Sequence, residues 1–220
     1  MPCINKILTD CARGKIWATI DMTDSFFQMR VHPNNIHRTA VSTPFGTYEW
    51  CVMPMELWNS PAIHQQQVTG ILRPFIRKIC HIYLDNIIIW SDSIEEHIVN
   101  VRTIMNSLQE AGLHVNCKKT KLFCKEINFL GHHISQRGVE ADKGKVARTL
   151  DWPVPKCAKD VWQFLGLVQY LNTFLLKLAM QSDILNRLTW KDCSEKFPVW
   201  TQKYQEVFDA MKRIVVSLSA

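Results

Sequence analysis

The stretch HIYLDNIIIW, His81 to Trp90, decides the fold. A carboxylate and a carboxamide, Asp85 and Asn86, stand side by side inside an apolar, β-branched run. Asp-Asn makes a good two-residue turn, because both residues tolerate left-handed backbone angles. The stretch therefore reads as a hairpin, with ICHIYL and IIIW as strands and Asp85-Asn86 as the tip. What that tip does depends on which other elements reach it.

On the N-terminal side, KIWATIDM (15–22) is a strand rich in β-branched and aromatic residues. FGTYEWCVMP (45–54) reads as another, opened by a Gly turn and closed by Pro54. In NSPAIHQQQVTGILRPF, Ser60 is a natural N-cap and Pro61 fits the first helical position. Ile63, Ile71 and Leu72 mark one face, and Pro74 ends or kinks the helix.

On the C-terminal side, SIEEHIVNVRTIMNSLQEAGL opens with a capping box, Ser93 and Glu96. Ile94, Ile98, Val101, Met105 and Leu108 recur at helical spacing, and Gly112 fits the stop. KLFCKEINFLGHHIS reads as a second hairpin turning at Lys125-Glu126. Past Gly138 the pattern is mainly helical. DWPVPK is rigid punctuation, and DVWQFLGLVQYLNTFL carries Val161, Phe164, Leu165, Val168 and Leu171 on one stripe. Residues 203–218 form a further amphipathic helix with Tyr204, Val207, Phe208, Met211 and Val215. No internal repeat or low-complexity tract is present. The fold class is α+β: mixed strands and helices, then a helical portion, cut near 136–140.

The bulk composition fits this. The chain has 220 residues, 47% hydrophobic and 21% charged, which suits one or two globular domains. No window approaches the ~20 apolar residues of a membrane span. The N-terminus MPCINKILTDCARGK is charged throughout and has no signal-peptide core. A net charge of +6 permits a polyanionic partner. The eight cysteines are scattered and read as reduced thiols of an intracellular protein. A zinc site from Cys117, Cys124, His132 and His133 is conceivable, but no Cys-x-x-Cys knuckle supports it.

The order strand, helix, hairpin, helix suggests an antiparallel sheet with helices on one face. The end of KIWATIDM then lies beside the hairpin tip, and Asp21 approaches Asp85. Two adjacent carboxylates repel unless a cation joins them. Hard oxygen ligands suit Mg²⁺, which takes one or two carboxylates plus substrate phosphates. On spacing alone, Asp21 reads as a cap or turn residue after a strand, and its pairing with Asp85 is invisible to composition.

The blocks IDMTDSFFQMRVHP, TAVSTPFGTYEWCVMPMELWNSPAIHQ, IYLDNIIIWS, EEHIVNVRTIMNSLQEAGLHVNCKKTKLF, INFLGHHIS and DWPVPK…FLGLVQYL follow in series. In order and spacing the chain resembles the reverse transcriptase of gypsy-type long-terminal-repeat retrotransposons, the fungal kind in particular. The resemblance implies a polymerase palm followed by a helical thumb. Residues 1–138 would be palm with a remnant of fingers, 139–190 thumb, and 191–220 the start of the connection to a ribonuclease H domain. Most of the fingers, and the ribonuclease H, integrase and protease segments known in the family, are expected to be missing.

The resemblance also implies roles. Asp21 corresponds to the first catalytic aspartate and Asp85 to the first of the pair in the Y-x-D-D hairpin, both holding metal. Two Mg²⁺ ions are implied, with Mn²⁺ as an alternative. Phe26 matches the aromatic that excludes a ribose 2′-OH. The segment with Met55 and Glu56 matches the lining of the nucleotide site. Phe129, Leu130 and Gly131 match the hairpin that grips the primer end. Lys118, Lys119, Lys121 and Lys125 are candidates for phosphate contacts. The implied partners are an RNA or DNA template with a DNA primer, and deoxynucleoside triphosphates, with no membrane.

Two positions depart from the family. Asn86 stands where the second aspartate is expected, and it lacks the full negative charge. Glu56 stands where glycine is usual, adding bulk and the wrong sign beside a triphosphate path. Trp58, Trp162 and Gln169 stand where relatives often have arginine. All five changes can arise from C-to-T or G-to-A transitions, the mark of a copy decayed by cytosine deamination. The alternatives to an active, weakened polymerase are a remnant that only binds nucleic acid and a relic with no function.

Overall fold

The structure is a computed structural model that describes residues 2–171, 183–190 and 197–216, with the side chains of 169–171 and 216 left out. The expectations for Gln169 and for the burial of Leu171 lie outside the described side chains, as do residues 191–196 and 217–220 of the C-terminal segment.

Two compact units emerge: Met1–Phe129 with Ile134–Gly138, and Leu130–His133 with Val139–Ala220. The first is built on a four-stranded antiparallel sheet. Its strands are β1 (Ile16–Asp21), β4 (Cys80–Tyr83), β5 (Asn86–Ser91) and β6 (Lys121–Cys124), in the order β4-β5-β1-β6. A separate two-stranded ribbon joins β2 (Val41–Thr43) to β3 (Gly46–Tyr48). The strand expected over 45–54 is thus shorter, because its partner β2 offers only three residues; beyond it Val52 makes a single bridge to Arg30.

Strand alternation assigns the faces of the sheet. Ala18 and Ile20 of β1, Ile87 and Ile89 of β5, and Cys80 and Ile82 of β4 point into one core with Val68 and Leu72 of α2 (Ser60–Leu72) and Val101, Ile104 and Leu108 of α3 (Ile94–Glu110). Each fully buried aliphatic side chain of this kind contributes about 1.5–3 kcal/mol as an upper estimate. The opposite face carries Trp17, His81 and Trp90. There the short helix α1 (Ile4–Cys11) is pinned by Asp10 to His81 at 3.0 Å and by the Trp17 Nε1–H to the Cys11 carbonyl at 2.9 Å. Gly14 links α1 to β1 where a Cβ would meet the Trp90 Cβ at 2.7 Å.

The caps explain where the helices stop. Ser93 accepts from the Glu96 N–H at 3.2 Å, and the Glu96 carboxylate accepts from the Asp92 N–H at 3.0 Å. At the other end Gly112, at φ 71, donates to the Gln109 carbonyl and Leu113 donates to that of Leu108, a Schellman closure. The inward stripe of α3 differs from expectation. Ile94 and Ile98 are exposed, and His97 and Asn100 take their place inside, because buried Ser91 bonds both of them. In α2 the N-cap is Asn59 and Ser60 is already helical, its hydroxyl donating to the Pro54 carbonyl at 2.8 Å. Ile63 is exposed, and the buried face runs through His64, Gln65, Val68 and Leu72.

Both hairpins turn elsewhere than expected. The first turns at Leu84-Asp85, since Tyr83 pairs with Asn86. The second turns at Leu130-Gly131, both at positive φ, between β7 (Glu126–Phe129) and β8 (His132–Ser135). Lys125 is a break between β6, which joins the main sheet, and β7, which joins a three-stranded sheet β7-β8-β9 with β9 at Gly138–Ala141.

The second unit holds α4 (Lys143–Leu150), α5 (Ala158–Leu171) and α6 (Gln202–Val216). Val146, Val161, Phe164, Val168, Leu185, Leu188, Phe208, Met211 and Val215 form its core. The apolar stripes foreseen for α5 and α6 supply most of it. Among the described residues, no helix is long and apolar enough to cross a membrane.

Candidate active site

Asp21 is the last residue of β1, and its register partner is Asn86, the first residue of β5. The Met22 N–H donates to the Asp85 carbonyl at 3.1 Å. The end of β1 and the hairpin turn are therefore joined backbone to backbone. Because Ile20 and Ile87 point into the core, Asp21 and Asn86 project from the opposite face. Asp21 is half-buried and pairs with Lys119 Nζ at 3.5 Å; the lysine itself is exposed. The Asn116 side chain accepts from the N–H groups of Lys118 and Lys119 and so shapes the turn that presents Lys119.

At the turn itself, Leu84 has φ 54. Its N–H donates to Gln65 Oε1 at 2.8 Å. The Asn86 carboxamide donates through Nδ2 to Asp85 Oδ1 at 2.8 Å. Behind the turn lies His64, fully buried, with neither ring nitrogen hydrogen-bonded. Burial pushes its pKa down, partly offset by the charge of Asp85. Its ring lies 5.0 Å from that of Phe26.

Phe26 sits in the 3₁₀ turn Ser25–Gln28, entered through Asp24 at φ 41. Gln28 fastens this turn to the loop after α3. Its Oε1 accepts from the His114 N–H at 2.7 Å, and its Nε2 donates to the carbonyls of His114 and Thr23.

The structure thus brings Asp21, Asp85 and Asn86 together, with Phe26 linked to them through His64. Met55 and Glu56 lie exposed in the loop before α2, and among the described residues no hydrogen bond or ion pair joins them to the carboxylates. Phe129 is buried at the end of β7, and Leu130 and Gly131 form the following turn. Lys118, Lys121 and Lys125 are exposed like Lys119. Gln65 and Gln28 were not foreseen. Glutamine has no sequence signature for a buried bracket; the only hint is Gln65 on the same helical stripe as Val68 and Leu72.

Among the described residues no group of three or more His, Cys, Asp or Glu side chains is placed to hold a metal ion. An ion here would rest on the two aspartates and on oxygens brought by a ligand. That donor set fits Mg²⁺, a hard cation that keeps waters and binds proteins through one or two carboxylates.

An antiparallel sheet backed by two helices, with one aspartate in a hairpin turn and another at the end of the neighbouring strand, is the frame of a nucleic-acid polymerase. Residues 3–134, more than half the chain, match the family "Reverse transcriptase (RNA-dependent DNA polymerase)", and the chain belongs to it. Within that family it belongs with the gypsy-type retrotransposons. It is 35% identical over 189 residues to the Retrovirus-related Pol polyprotein from transposon opus of Drosophila melanogaster, covering 86% of this chain and 19% of that protein. Against the corresponding polyprotein from transposon gypsy of the same fly, identity is 31% over 225 residues, 99% of this chain and 22% of the relative. The Transposon Tf2-7 polyprotein of Schizosaccharomyces pombe is 30% identical over 217 residues, 99% of this chain and 16% of the relative. The chain spans about a fifth of the length of these relatives.

Solved structures agree on the fold. The foamy viral protease-reverse transcriptase dRH in complex with double-stranded DNA superposes with a TM-score of 0.86 at 23% identity, over 98% of this chain and 38% of that one. The foamy viral enzyme in complex with an RNA/DNA hybrid gives 0.82 at 24% identity, over 97% and 28%. The fold is the α+β polymerase fold. Reverse transcriptases generally work with divalent metal ions.

Proposed function

We propose that this chain is the palm and thumb of an RNA-directed DNA polymerase, with residues 1–138 as palm and remnant fingers and 139–190 as thumb. The observation that carries this is the register of Asp21 against Asn86, with Asp85 in the adjoining turn. Asp21 and Asp85 would hold divalent metal, two Mg²⁺ ions with Mn²⁺ as an alternative. Bound metal would supply positive charge to the phosphates of a deoxynucleoside triphosphate.

The protein's own residues do the rest. Phe26, braced by His64, would stand where a ribose 2′-OH is excluded. Phe129, Leu130 and Gly131 would steady the primer end. The exposed lysines 118, 119, 121 and 125 would meet backbone phosphates of a template RNA or DNA paired with a DNA primer. In the relatives the corresponding segment is embedded in a longer Pol polyprotein.

We assign this copy a weakened activity. Asn86 brings an amide N–H toward Asp85 where a second carboxylate would bring an anion, and Glu56 adds a negative charge to the segment proposed to line the nucleotide path. The test is primer extension on an RNA template by the parent chain, by Asn86→Asp with Glu56→Gly, and by Asp21→Ala. Extension that rises in the double variant and vanishes with Asp21→Ala is the expected result. Extension that persists after Asp21→Ala overturns the assignment.

A second reading is favoured by the same amide contact: a remnant that binds nucleic acid and does not extend. It would show little sequence preference and an affinity that falls steeply with salt. Binding that ignores salt would exclude it.

A further inference from the structure

Asp85 lies in a two-residue turn, and such a turn does not fix a side chain unaided. Leu84 before it holds φ 54, a left-handed conformation that costs an L-residue about 1–2 kcal/mol. Something outside the hairpin must maintain it. Tyr83 and Asn86 close the register, and the Leu84 N–H turns away from that ladder to Gln65 Oε1 at 2.8 Å. The same carboxamide donates through Nε2 to the Ile82 carbonyl at 3.2 Å and to Thr69 Oγ1 at 3.2 Å.

Gln65 is 8% exposed and sits on α2, one residue after His64. Its acceptor and its donor face backbone groups on either side of Tyr83, so only one orientation of the amide serves both. The helix therefore grips the shoulder of the turn by two main-chain groups, 17 and 19 residues away in sequence. His64 brings the Phe26 ring against the same helix. Two consecutive residues of α2 thus set the turn and the aromatic in one frame.

We propose that Gln65 is a positioning residue whose carboxamide holds the Leu84-Asp85 turn and, through it, the Asp85 carboxylate in ligating geometry. This rests on the reading of Asp85 as a metal ligand. A site loses function when its supporting groups let it drift by about half an ångström, so the bracket matters more than its own hydrogen-bond strength implies.

The experiment measures two quantities on the full chain: Mn²⁺ affinity by electron paramagnetic resonance, and amide hydrogen exchange at Leu84. Gln65→Met keeps length and burial but loses both polar contacts. It is expected to weaken Mn²⁺ binding roughly tenfold and to deprotect the Leu84 amide. Val68→Ala, a cavity variant one turn face away, is expected to lower stability and leave Mn²⁺ binding as in the parent. Gln65→Met that binds Mn²⁺ like the parent overturns the proposal. So does a Leu84 amide that exchanges in the parent as fast as an open turn, a result that needs no variant to fold. Asp85→Ala that leaves Mn²⁺ binding intact overturns the metal-ligand reading itself, and with it the role of the bracket, whereas Leu84 protection then still reports the bracket alone.

Discussion

The Asn86 carboxamide donates a hydrogen bond to the Asp85 carboxylate at 2.8 Å. An amide in that position is a partner for the carboxylate, whereas an aspartate would be a second anion. The contact therefore stabilises the free chain while lowering the negative charge offered to a cation. Asn86→Asp should reverse both. Without divalent ions the variant should melt lower, by about 1 kcal/mol of lost charge-assisted bonding at a half-exposed turn. With Mg²⁺ its melting temperature should rise more than that of the parent, by mass action on the folded state. Thermal melts with and without Mg²⁺ check this; equal Mg²⁺ responses in the two chains would contradict it.

His64 has both ring nitrogens buried and unbonded beside the Phe26 ring. An orphaned buried polar group costs about 1–3 kcal/mol. His64→Phe removes the two nitrogens, keeps a flat ring against Phe26, and should stabilise the chain by about 1 kcal/mol. Urea unfolding measures it. Destabilisation would mean that the imidazole serves a purpose its surroundings do not reveal.

The outcome at the two hairpins shows where sequence reading reaches its limit. Ser93, Glu96 and Gly112 were legible because a cap is local chemistry within a few residues. The Asp85-Asn86 tip was misplaced by one residue, since Asp and Asn tolerate positive φ better than leucine. Leu84 adopts it because Gln65, far along the chain, takes its N–H. The Lys125-Glu126 turn failed for a similar reason: β6 is committed to β1, so the reversal waits until Leu130-Gly131. Period alone points Ile94 and Ile98 at the core, and the buried Ser91–His97–Asn100 bonds rotate the stripe away from them. Of the candidate site, the acidic residues were legible through resemblance, while the convergence of Asp21 with the turn is a property of sheet register that no local pattern carries.

Four buried histidines, His64, His81, His97 and His132, are each held below their ordinary pKa chiefly by burial. The Asp10–His81 contact is then a neutral imidazole N–H donating to a carboxylate, which Lys6 at 3.3 Å keeps charged. A folded pKa below the unfolded value of about 6.5 means that the unfolded chain binds more protons between the two. Stability is therefore full above about pH 7 and falls as pH drops through 6.5 toward the folded values. Asp10, pushed up by burial but lowered overall by its His81 and Lys6 bonds, loses its contribution only at more acidic pH. The urea midpoint should fall between pH 7.5 and 5.5, before carboxylates titrate. A flat midpoint over that range would contradict the burial of the imidazoles.

Trp58 is 96% exposed and Trp162 68% exposed. Neither position gains from an indole in water. Trp58→Arg with Trp162→Arg should leave folding stability within about 0.5 kcal/mol, as surface changes do, and should reduce self-association in concentrated solution. Light scattering as a function of concentration distinguishes this from an indole that serves a packing role, whose loss would lower the melting temperature instead.

Lys212 of α6 donates to the carbonyls of Leu150 at 2.7 Å and Trp152 at 2.6 Å, and lies 4.6 Å from the Phe208 ring centroid. The first carbonyl belongs to the last residue of α4 and the second lies two residues beyond it, at an end where a helix leaves acceptors without partners. A cation there also meets the negative end of the helix dipole. Burial lowers the lysine pKa, and the charges of Asp209 and Asp151 oppose that shift. Lys212→Met keeps the aliphatic stem over Phe208 and removes both bonds. Allowing for partial exposure, the loss should be about 2 kcal/mol, read as a lower urea midpoint for the helical unit. Lys212→Arg, which retains charge and donors, should recover part of it. A loss below about 0.5 kcal/mol would place this lysine with ordinary surface ion pairs and leave the end of α4 to be satisfied by water.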